Sequence, residues 1–540
     1  MPELILATPL PTDNSTETTA EPSLSPRVGA DRLRRLAALV TTAAPRATAE
    51  IRSPLQGSRV GEVPVTTPVD VQEAVRRARK AQQEWAHRSI AERAAIFIRF
   101  HDLIIERQDE VLDLIQIEAG KARKHAFEEV ADTAIVARYY AHHAEKHLAP
   151  KRRQGALPGL TVTWEHHHPV GVVGIIAPLN YPLSMAVTDA IPALIAGNAV
   201  VLKPDQKTPF TALWVIALLR EAGLPADLFQ VVTGEGTELG TPLIEGSDAL
   251  HFTGSTATGR KVARQAAERL IHCSLELGGK NAMVVLADAD LEAAVAGAIR
   301  GCFSSAGQLC ISIERMYVHE TIYHRFVERF VEETRALRLG TGLDWETDMG
   351  ALISTEHLAK VDGHVRDAVE KGATVLAGGR PRPDLGPCVY EPTLLADVTE
   401  EMTLFAEETF GPVVALYSFE SVNDVVERVN ASRYGLNASV WTRDLDLGHR
   451  VGMRLQCGTV NVNEAYAAAW ASVDAPMGGF KDSGLGRRHG AEGILKYTEA
   501  QTVAIQRMHP IAAPAGVADE AFSRAMSTTL KALRRIPGLR

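Results

Sequence analysis

Residues 249–259 read Ala-Leu-His-Phe-Thr-Gly-Ser-Thr-Ala-Thr-Gly, a short apolar run followed by a turn of small residues. Val262, Ala266 and Leu270 then recur every four residues, which predicts a helix with one apolar face. The exposed backbone amides at the start of such a helix attract a phosphate or a nicotinamide nucleotide. The glycine spacing differs from Gly-x-Gly-x-x-Gly and small-residue turns are common, so an ordinary turn stays an alternative.

Short runs of this kind, rich in β-branched residues, start at intervals of 21 to 29 residues around this stretch. They are Val172–Ile176, Ala199–Leu202, Leu228–Val232, Ala249–Phe252 and Ile271–Leu275. Helical segments lie between them, and this alternation is typical of βαβ units in a parallel sheet. Because such crossovers are right-handed, the sequence predicts a doubly wound sheet with a ligand crevice at the carboxyl ends of its strands.

A second alternation begins beyond Lys280 and predicts a second α/β domain. Upstream, the apolar spacing from Val71 to about Lys146 is helical, whereas Thr161–Trp164 and Thr502–Ile505 are predicted to be extended. The segments of the second domain are helices at Leu291–Phe303 and Ile322–Leu337 and strands at Arg315–Val318, Val413–Tyr417, Ala438–Trp441 and Gly458–Val462.

The two ends of the chain differ from the rest in composition. Residues 8–28 are rich in Pro, Ser, Thr and Glu and predict a disordered tail. A basic amphipathic stretch with Lys531, Arg534, Arg535 and Arg540 closes the chain. Such a face is usually solvated, and contact with a membrane surface is the alternative.

The composition is that of a globular protein with two or three domains. The chain has 540 residues, of which 46% are hydrophobic and 23% are charged. Its 57 Lys and Arg against 66 Asp and Glu leave a net charge of −9, which argues against a nucleic-acid partner.

No run approaches the roughly 20 apolar residues that span a bilayer, so no membrane span is expected. No basic residue precedes Arg27, which fits neither a secretory signal nor a transit peptide.

The cysteines and histidines predict neither disulfides nor a metal site. The five cysteines are odd in number and widely spaced, which favours a reducing compartment, and we expect the cytoplasm. No Cys-x-x-Cys occurs. The histidines at 166–168 precede Pro169 in an extended segment, where neighbouring side chains point to opposite faces and cannot converge on one ion.

A thiol and a carboxylate are candidates for covalent chemistry. Cys310 ends the run Gly-Gln-Leu-Cys, and Glu276 opens Glu-Leu-Gly-Gly-Lys-Asn. Together they are the groups needed to form a thioester and then hydrolyse it. Most lone cysteines are small buried hydrophobic residues, so a structural role for Cys310 stays open.

Two polar residues lie where predicted strands end. Asn180, in Ala-Pro-Leu-Asn-Tyr-Pro, follows the first strand and can place its amide at the mouth of the crevice; an Asx turn is the alternative. Lys203 ends the second strand and can reach a nucleotide or stay solvated.

Taken together and in order, these motifs resemble the aldehyde dehydrogenase superfamily over about residues 50–506. The motifs are Pro-x-Asn-Tyr-Pro, Lys-Pro, Phe-Thr-Gly-Ser, Glu-Leu-Gly-Gly-Lys-Asn, Gly-Gln-x-Cys, Glu408-Thr-Phe-Gly-Pro412 and Pro476-x-Gly-Gly-Phe-Lys. The resemblance implies a doubly wound parallel nucleotide-binding domain, a second α/β catalytic domain, and a small β arm for assembly into a homodimer or homotetramer. The implied divisions are a disordered tail (1–30), a dinucleotide-binding domain (31–158 and 171–275), a catalytic domain (276–490), an oligomerisation arm (159–170 and 491–506) and a C-terminal extension (507–540).

The resemblance also implies roles for individual residues. Cys310 is the expected nucleophile, Glu276 the general base, and Asn180 with the backbone amide of Cys310 the oxyanion hole. The nicotinamide cofactor would then accept the hydride. Its expected contacts are Leu179, Asn180, Lys203, Pro204, Asp205, Gln206, Gly254, Ser255, Leu277, Glu408 and Phe410.

One departure from the family pattern concerns the cofactor. Many members have Glu at the position of Gln206, where a carboxylate holds the ribose hydroxyls and would repel a 2′-phosphate. The neutral amide removes that repulsion, and Lys203 and Lys207 lie alongside. We therefore expect NADP, with NAD as a possible second cofactor.

A second departure concerns the substrate. Within the superfamily the chain is most similar to succinate-semialdehyde dehydrogenases, which implies oxidation of succinate semialdehyde to succinate. Members of that group bind the substrate carboxylate with a serine, matched by Ser472, and two arginines, replaced here by Ser304 and Thr188. Arg488, where many members have Glu, could supply the cation or form an exposed structural salt bridge. Another short aliphatic or aromatic aldehyde is the alternative substrate.

Two further classes of function stay open. A cysteine hydrolase or acyl transferase would use Cys310 with a histidine, but it leaves the predicted nucleotide-binding turn at Gly254 and Ser255 without a role. An inactive nucleotide-binding scaffold is disfavoured because Cys310, Glu276 and Asn180 are all present.

Overall fold

The computed structural model describes Ser25 and residues 27–156, 160–507 and 511–535. Most of the predicted N-terminal tail and the last residues of the C-terminal extension therefore lie outside the described residues. The described strands are β1 Thr48–Arg52, β2 Arg59–Pro64, β3 Lys151–Arg153, β4 Thr161–Pro169, β5 Val172–Ile176, β6 Ala199–Lys203, β7 Phe229–Val231, β8 Ala249–Thr253, β9 His272–Glu276, β10 Asn281–Val285, β11 Ile313–His319, β12 Thr374–Ala377, β13 Thr393–Ala396, β14 Val413–Phe419, β15 Tyr434–Gly435, β16 Asn437–Trp441, β17 Thr459–Val462, β18 Phe480–Lys481, β19 Gly484–Leu485 and β20 Thr498–Gln506.

The α-helices pack around these strands. They are α1 Ala30–Ala37, α2 Pro68–Ala86, α3 Ile90–Glu106, α4 Gln108–Ala119, α5 Arg123–Leu148, α6 Ser184–Val187, α7 Ala190–Ile195, α8 Pro209–Glu221, α9 Gly236–Gly246, α10 Thr256–Glu268, α11 Leu291–Phe303, α12 Glu320–Ala336, α13 Thr355–Glu370, α14 Thr403–Ala406, α15 Val422–Asn430, α16 Leu445–Gly452, α17 Ala467–Ala471, α18 Gly490–Leu495 and α19 Asp519–Leu533.

The first sheet confirms the predicted doubly wound topology. Its order is β19-β9-β8-β5-β6-β7, with β5 to β9 parallel and β19 antiparallel to β9. The chain order reverses beside β5, because β6 and β7 follow on one side and β8 and β9 on the other. A crevice for a ligand opens at such a switch point, at the carboxyl ends of the strands.

The second sheet confirms a second α/β unit. Its order is β12-β13-β14-β11-β10-β16-β17, and every pair is parallel except β12 with β13. Helix α11 has the bounds expected from the sequence, and α12 and β11 differ from the expected bounds by only a few residues. The loop between β10 and β11 carries α11 and then Cys310, so this sheet positions the thiol.

A third, antiparallel sheet has the order β20-β4-β3. Strand β20 is at its edge, and residues 499–505 are exposed. The histidines at 166–168 lie in β4, where His167 contacts Glu165 and Thr498 and His168 contacts Gln501. The ring nitrogens of His167 and His168 therefore contact protein groups on β4 and β20.

The hydrophobic cores follow the sheets. The largest contains apolar side chains of β5, β6 and β7 with those of α2 to α5 and of α8, which is buried almost all round. A second lies under β11, β13 and β14.

Helix α19 has no buried residue. Among the described residues, no helix combines the length and apolar content needed to cross a membrane.

Candidate active site

A cavity of about 350 Å³ lies between the two sheets, at the carboxyl ends of the strands of the first. Four strands of the first sheet deliver candidate residues to it, because β5 precedes Asn180, β6 ends at Lys203, β8 precedes Gly254, and β9 ends at Glu276. The predicted site residues that line the cavity are Leu179, Asn180, Lys203, Asp205, Gly254, Ser255, Glu276, Leu277, Cys310, Glu408, Phe410 and Arg488. Residues more than two hundred positions apart in the sequence therefore line the same cavity.

Three predicted site residues do not line this cavity. Pro204 is buried beneath it, and Gln206 is exposed beyond Asp205. The hydroxyl of Ser472 donates to the carbonyl of Ala468 at 2.7 Å, within the turn that ends α17. In this structure the Ser472 hydroxyl is therefore hydrogen-bonded to the backbone of α17.

The loop before Cys310 has a backbone that only a small residue at position 307 allows. Ser305, Ala306 and Gly307 have φ of 51°, 54° and 71°. A Cβ on Gly307 would lie 2.1 Å from the carbonyl oxygen of Gly411. This close approach packs the loop against the Glu-Thr-Phe-Gly-Pro segment and explains the glycine of Gly-Gln-x-Cys.

Asn281 ties the end of one motif to the thiol loop. Its side-chain amide donates to the carbonyl of Cys310 at 2.8 Å and to that of Ser312 at 2.7 Å. Its side-chain oxygen accepts from the backbone N–H of Asn437 at 2.9 Å. Because Asn281 begins β10, the thiol loop is held on the second sheet.

A buried ion pair joins the same motif to the Glu408 segment. Lys280 Nζ lies 2.5 Å from Glu314 Oε2, and both side chains are buried. The Glu314 carboxylate also accepts from the backbone N–H groups of Thr409 and Phe410. Glu408 in turn accepts from the backbone N–H of Gly279 at 2.9 Å. A fully hydrogen-bonded network of this kind fixes the relative positions of the two segments.

The side chain of Asn180 makes a long-range contact rather than an Asx turn. Its Nδ2 donates to the carbonyl of Gln308 at 2.9 Å, two residues before Cys310. The backbone carbonyl of Asn180 accepts from Lys121 Nζ at 2.5 Å, and Lys121 Nζ lies 2.8 Å from the Glu129 carboxylate. Glu129 also accepts from the backbone N–H of Leu183. Lys121 and Glu129, missed in the sequence, thus hold the Asn180 loop. No motif marks them, because Lys121 lies between α4 and α5 and Glu129 lies within α5, far upstream.

Burial sets the charge of the two reactive groups. The pKa of Cys310 is raised to about 12, chiefly by burial and then by the neighbouring Glu276 and Glu408 carboxylates. The pKa of Glu276 is raised to about 7, again chiefly by burial, and Arg488 opposes this rise. Glu276 therefore titrates near neutral pH, as a general base requires, whereas the thiol stays protonated until its proton is accepted.

Cys302 is the contrasting cysteine. It is buried in α11 among the core residues of the second sheet, does not line the cavity, and its pKa is raised by burial. Its environment is that of a structural residue.

The cofactor half of the cavity fits a dinucleotide. Helix α10 is thirteen residues long and begins at the cavity, with Ser255 as its N-cap accepting from the N–H of Thr258. A helix start presents backbone N–H groups and a partial positive charge to a phosphate. Lys203 and Glu408 line the same cavity, and the Glu408 carboxylate can accept hydrogen bonds from hydroxyl groups.

Arg488 is buried, so the expected alternative of an exposed salt bridge is wrong. Its Nη2 lies 3.0 Å from Asp189 Oδ2 and donates to Thr188 Oγ1 at 2.5 Å. Thr188 and Asp189 join α6 to α7, directly after the Asn180 loop. The charge of Arg488 is thus opposed by Asp189, which the sequence did not single out because the two are 299 positions apart in the chain.

Comparisons with known proteins agree with this architecture. Residues 40–503 match the Aldehyde dehydrogenase family. The chain is 52% identical over 507 residues to the Mycolicibacterium smegmatis protein named "Putative succinate-semialdehyde dehydrogenase [NADP(+)]", covering 94% of this chain and 98% of that one. It is 37% identical over 461 residues to the 3-sulfolactaldehyde dehydrogenase of Pseudomonas putida, covering 84% and 93%. The NAD+ complex of an aldehyde dehydrogenase from Bacillus cereus superposes with a TM-score of 0.82 at 36% identity, covering 87% of this chain and 96% of that chain.

Proposed function

The chain belongs to the aldehyde dehydrogenase family, and from this we propose that it oxidises succinate semialdehyde to succinate with reduction of NADP. The observation that carries the proposal is the convergence of Cys310, Glu276 and Asn180 on the cavity that also contains Lys203 and the start of α10. The name of the Mycolicibacterium smegmatis relative supports both the semialdehyde and the cofactor.

Cys310 supplies the nucleophile. Loss of the thiol proton to solvent produces the thiolate that attacks the aldehyde carbon. The alkoxide of the resulting thiohemiacetal needs donors, and we assign them to Asn180 Nδ2 and the Cys310 backbone N–H. In this structure one N–H of Asn180 Nδ2 donates to Gln308, which leaves its second N–H for the alkoxide. Such donors contribute about 3–4 kcal/mol each in acyl-transfer enzymes.

When bound, the nicotinamide accepts the hydride that leaves the thiohemiacetal carbon, and a thioester remains. Lys203 and Gln206 would face the ribose and 2′-phosphate, Gly254 and Ser255 the pyrophosphate, and Glu408 with Phe410 the nicotinamide ribose and ring. Glu276 then takes a proton from water, whose oxygen attacks the thioester carbon. Collapse of this second adduct expels the Cys310 thiolate and releases the carboxylic acid product.

The sequence predicts that Ser472 and Arg488 recognise the distal carboxylate. In this structure both side chains have protein partners, Ala468 for the serine and Asp189 with Thr188 for the arginine, so neither is free for a substrate without rearrangement. The cavity is also lined by the largely apolar side chains of Tyr181, Met185, Trp470 and Met477. That lining favours a second candidate, a neutral short aliphatic or aromatic aldehyde.

The decisive experiment is an aldehyde panel assayed with both cofactors. Purified protein is mixed with succinate semialdehyde or butanal and with NADP+ or NAD+, and reduced cofactor is followed at about 340 nm. We expect the highest kcat/KM for the semialdehyde with NADP+, and none in Cys310→Ala. A preference for butanal would transfer the proposal to neutral aldehydes, and no reduction with any aldehyde would refute it.

We also propose that the chain assembles as a homodimer or homotetramer through the sheet of β3, β4 and β20. Within the part of the chain that the structure describes, strand β20 is the edge strand of this sheet, and its side chains Val503 and Ile505 are exposed (39% and 52%). Natural proteins rarely leave such an edge uncovered. The division into nucleotide-binding, catalytic and arm segments given above is part of the same proposal. Light scattering of the wild type against Val503→Lys tests it, since a charge in the interface should shift the mass towards the monomer.

A cytoplasmic location is likewise a proposal. It is supported by the cysteines Cys273, Cys302, Cys310, Cys388 and Cys457, all of which are free.

A further inference from the structure

Arg488 is held rigidly at the edge of the active-site cavity. Its guanidinium meets Asp189 and Thr188, while its backbone exchanges hydrogen bonds with Met477 at 2.7 and 2.8 Å. The side chains of Arg488 and Asp189 are only 4% and 2% exposed. A cation fixed on both its backbone and its head group cannot easily follow a mobile substrate.

Arg488 and Glu276 are buried in the same region and interact electrostatically. Both line the same cavity. Among the described residues, Arg488 Nε and Glu276 Oε1 are buried side-chain atoms without a hydrogen-bond partner. Buried polar atoms are ordinarily paired, and Arg488 is the charge that most strongly lowers the pKa of Glu276 against the rise caused by burial.

The charged groups around Arg488 and Asp189 together favour the ionised form of Glu276. Asp189 is a single anion shared by Arg488 and Lys496, whose Nζ lies 2.8 Å away. His251, 3.2 Å from Asp189, is neutral at physiological pH, because burial lowers its pKa to about 3. One anion therefore opposes two cations, which leaves a net positive charge behind the carboxylate.

The remaining titratable groups do not cancel this charge at neutral pH. Burial raises the pKa of Asp132 to about 7, so it is at most half ionised there. Burial lowers the pKa of His489 to about 3, so it is neutral. Arg487 adds to the positive charge, whereas the neighbouring Cys310 is protonated. The charge of Glu408 acts on Cys310 and is not among the main charges that act on Glu276.

We propose that Arg488, anchored by Asp189, is the positioning cation of Glu276, keeping that carboxylate ionised for thioester hydrolysis instead of binding the substrate. The inference rests on the proposed role of Glu276 as general base. The proposal also gives Asp189 a role, because Asp189 positions the Arg488 guanidinium and partly neutralises the effect of its charge on Glu276.

The test is the pH dependence of kcat in Arg488→Gln, Arg488→Lys and Asp189→Asn, each with succinate semialdehyde and with butanal. Removal of the cation raises the pKa of Glu276, so the base ionises only at higher pH. In Arg488→Gln we expect the acidic limb of kcat to move up by about one pH unit for both aldehydes, an about tenfold loss below the limb. The burst of reduced cofactor and both KM values should persist, and Arg488→Lys should restore the limb.

Asp189→Asn gives a prediction of opposite sign, because the cations lose their counter-ion and the limb should move towards acid. Arg487→Gln, the neighbouring arginine outside the cavity lining, is the matched control and should shift the limb less. A higher KM for the semialdehyde alone, with an unmoved limb, would overturn the proposal in favour of carboxylate binding. An unmoved limb and unchanged KM in a folded Arg488→Gln, checked by thermal unfolding, would leave Arg488 a structural residue and also overturn it.

Failure of the proposed function gives a different result. If Glu276→Gln keeps the wild-type acidic limb, Glu276 is not the base that titrates, whatever the arginine variants do.

Discussion

Asn281 donates a hydrogen bond to the carbonyl of Cys310 at 2.8 Å. This bond joins the last residue of Glu-Leu-Gly-Gly-Lys-Asn to the last residue of Gly-Gln-Leu-Cys. The first of these motifs starts with Glu276, so one short segment supplies the proposed base and also holds the backbone of the proposed nucleophile. Rigid support of this kind keeps reacting groups in place without help from the substrate.

Replacement of Cys310 by alanine should abolish dehydrogenase turnover, whereas Cys302→Ala should retain it. Cys310 lines the cavity, and Cys302 packs in a hydrophobic core. Steady-state reduction of cofactor measures both variants, with circular dichroism as the control for folding. Equal loss of turnover in a folded Cys302→Ala would reverse the assignment.

Replacement of Glu276 by glutamine should slow thioester hydrolysis more than acylation. A pre-steady-state burst of reduced cofactor should therefore persist while the steady-state rate falls by at least about 100-fold, the usual contribution of a general base. In the wild type, the pKa of about 7 predicts that hydrolysis rises as pH increases through neutrality, because only the ionised carboxylate accepts a proton. Loss of the burst, with cofactor binding intact, would place Glu276 in an earlier step.

Gln206→Glu should shift cofactor preference from NADP towards NAD. The side chain is exposed next to the end of β6, where a carboxylate would repel a 2′-phosphate. We expect the ratio of kcat/KM for the two cofactors to change about tenfold, or about 1.4 kcal/mol. Gln206→Asn is the uncharged control. A constant ratio in the glutamate variant would mean that the 2′-phosphate is recognised elsewhere.

Gly307→Ala should destabilise the loop that presents the thiol. The added Cβ would lie 2.1 Å from a backbone oxygen, at a left-handed φ of 71°. Lower thermal stability and loss of turnover are expected together. Gly363→Ala is the matched control, because Gly363 lies inside α13 with nothing within 4 Å, and alanine should stabilise that helix by about 0.8–1.0 kcal/mol. Normal activity in Gly307→Ala would show that the loop can relax.

Local periodicity was enough to predict the five parallel strands of the first sheet and the residues delivered to their edge, but not β19, nor β10, β12 and β13 of the second sheet. The five parallel strands and helix α11 appear within a few residues of the expected bounds, because burial of an element on a sheet imposes its own apolar spacing. The parallel topology follows from that alternation, and it brings Asn180, Lys203, Gly254 and Glu276 to one edge. Cys310 was predicted from its place among the motifs.

What only the tertiary structure decided is which distant groups meet and what charge they carry. Nothing local in the sequence links Lys121 to Asn180, Glu314 to Phe410, or Asp189 to Arg488, because each pair is formed by packing of elements far apart in the chain. The sequence named Glu276 as a base but not its titration near neutral pH. Ionisation depends on burial and neighbouring charges, and these exist only once the two sheets enclose the cavity.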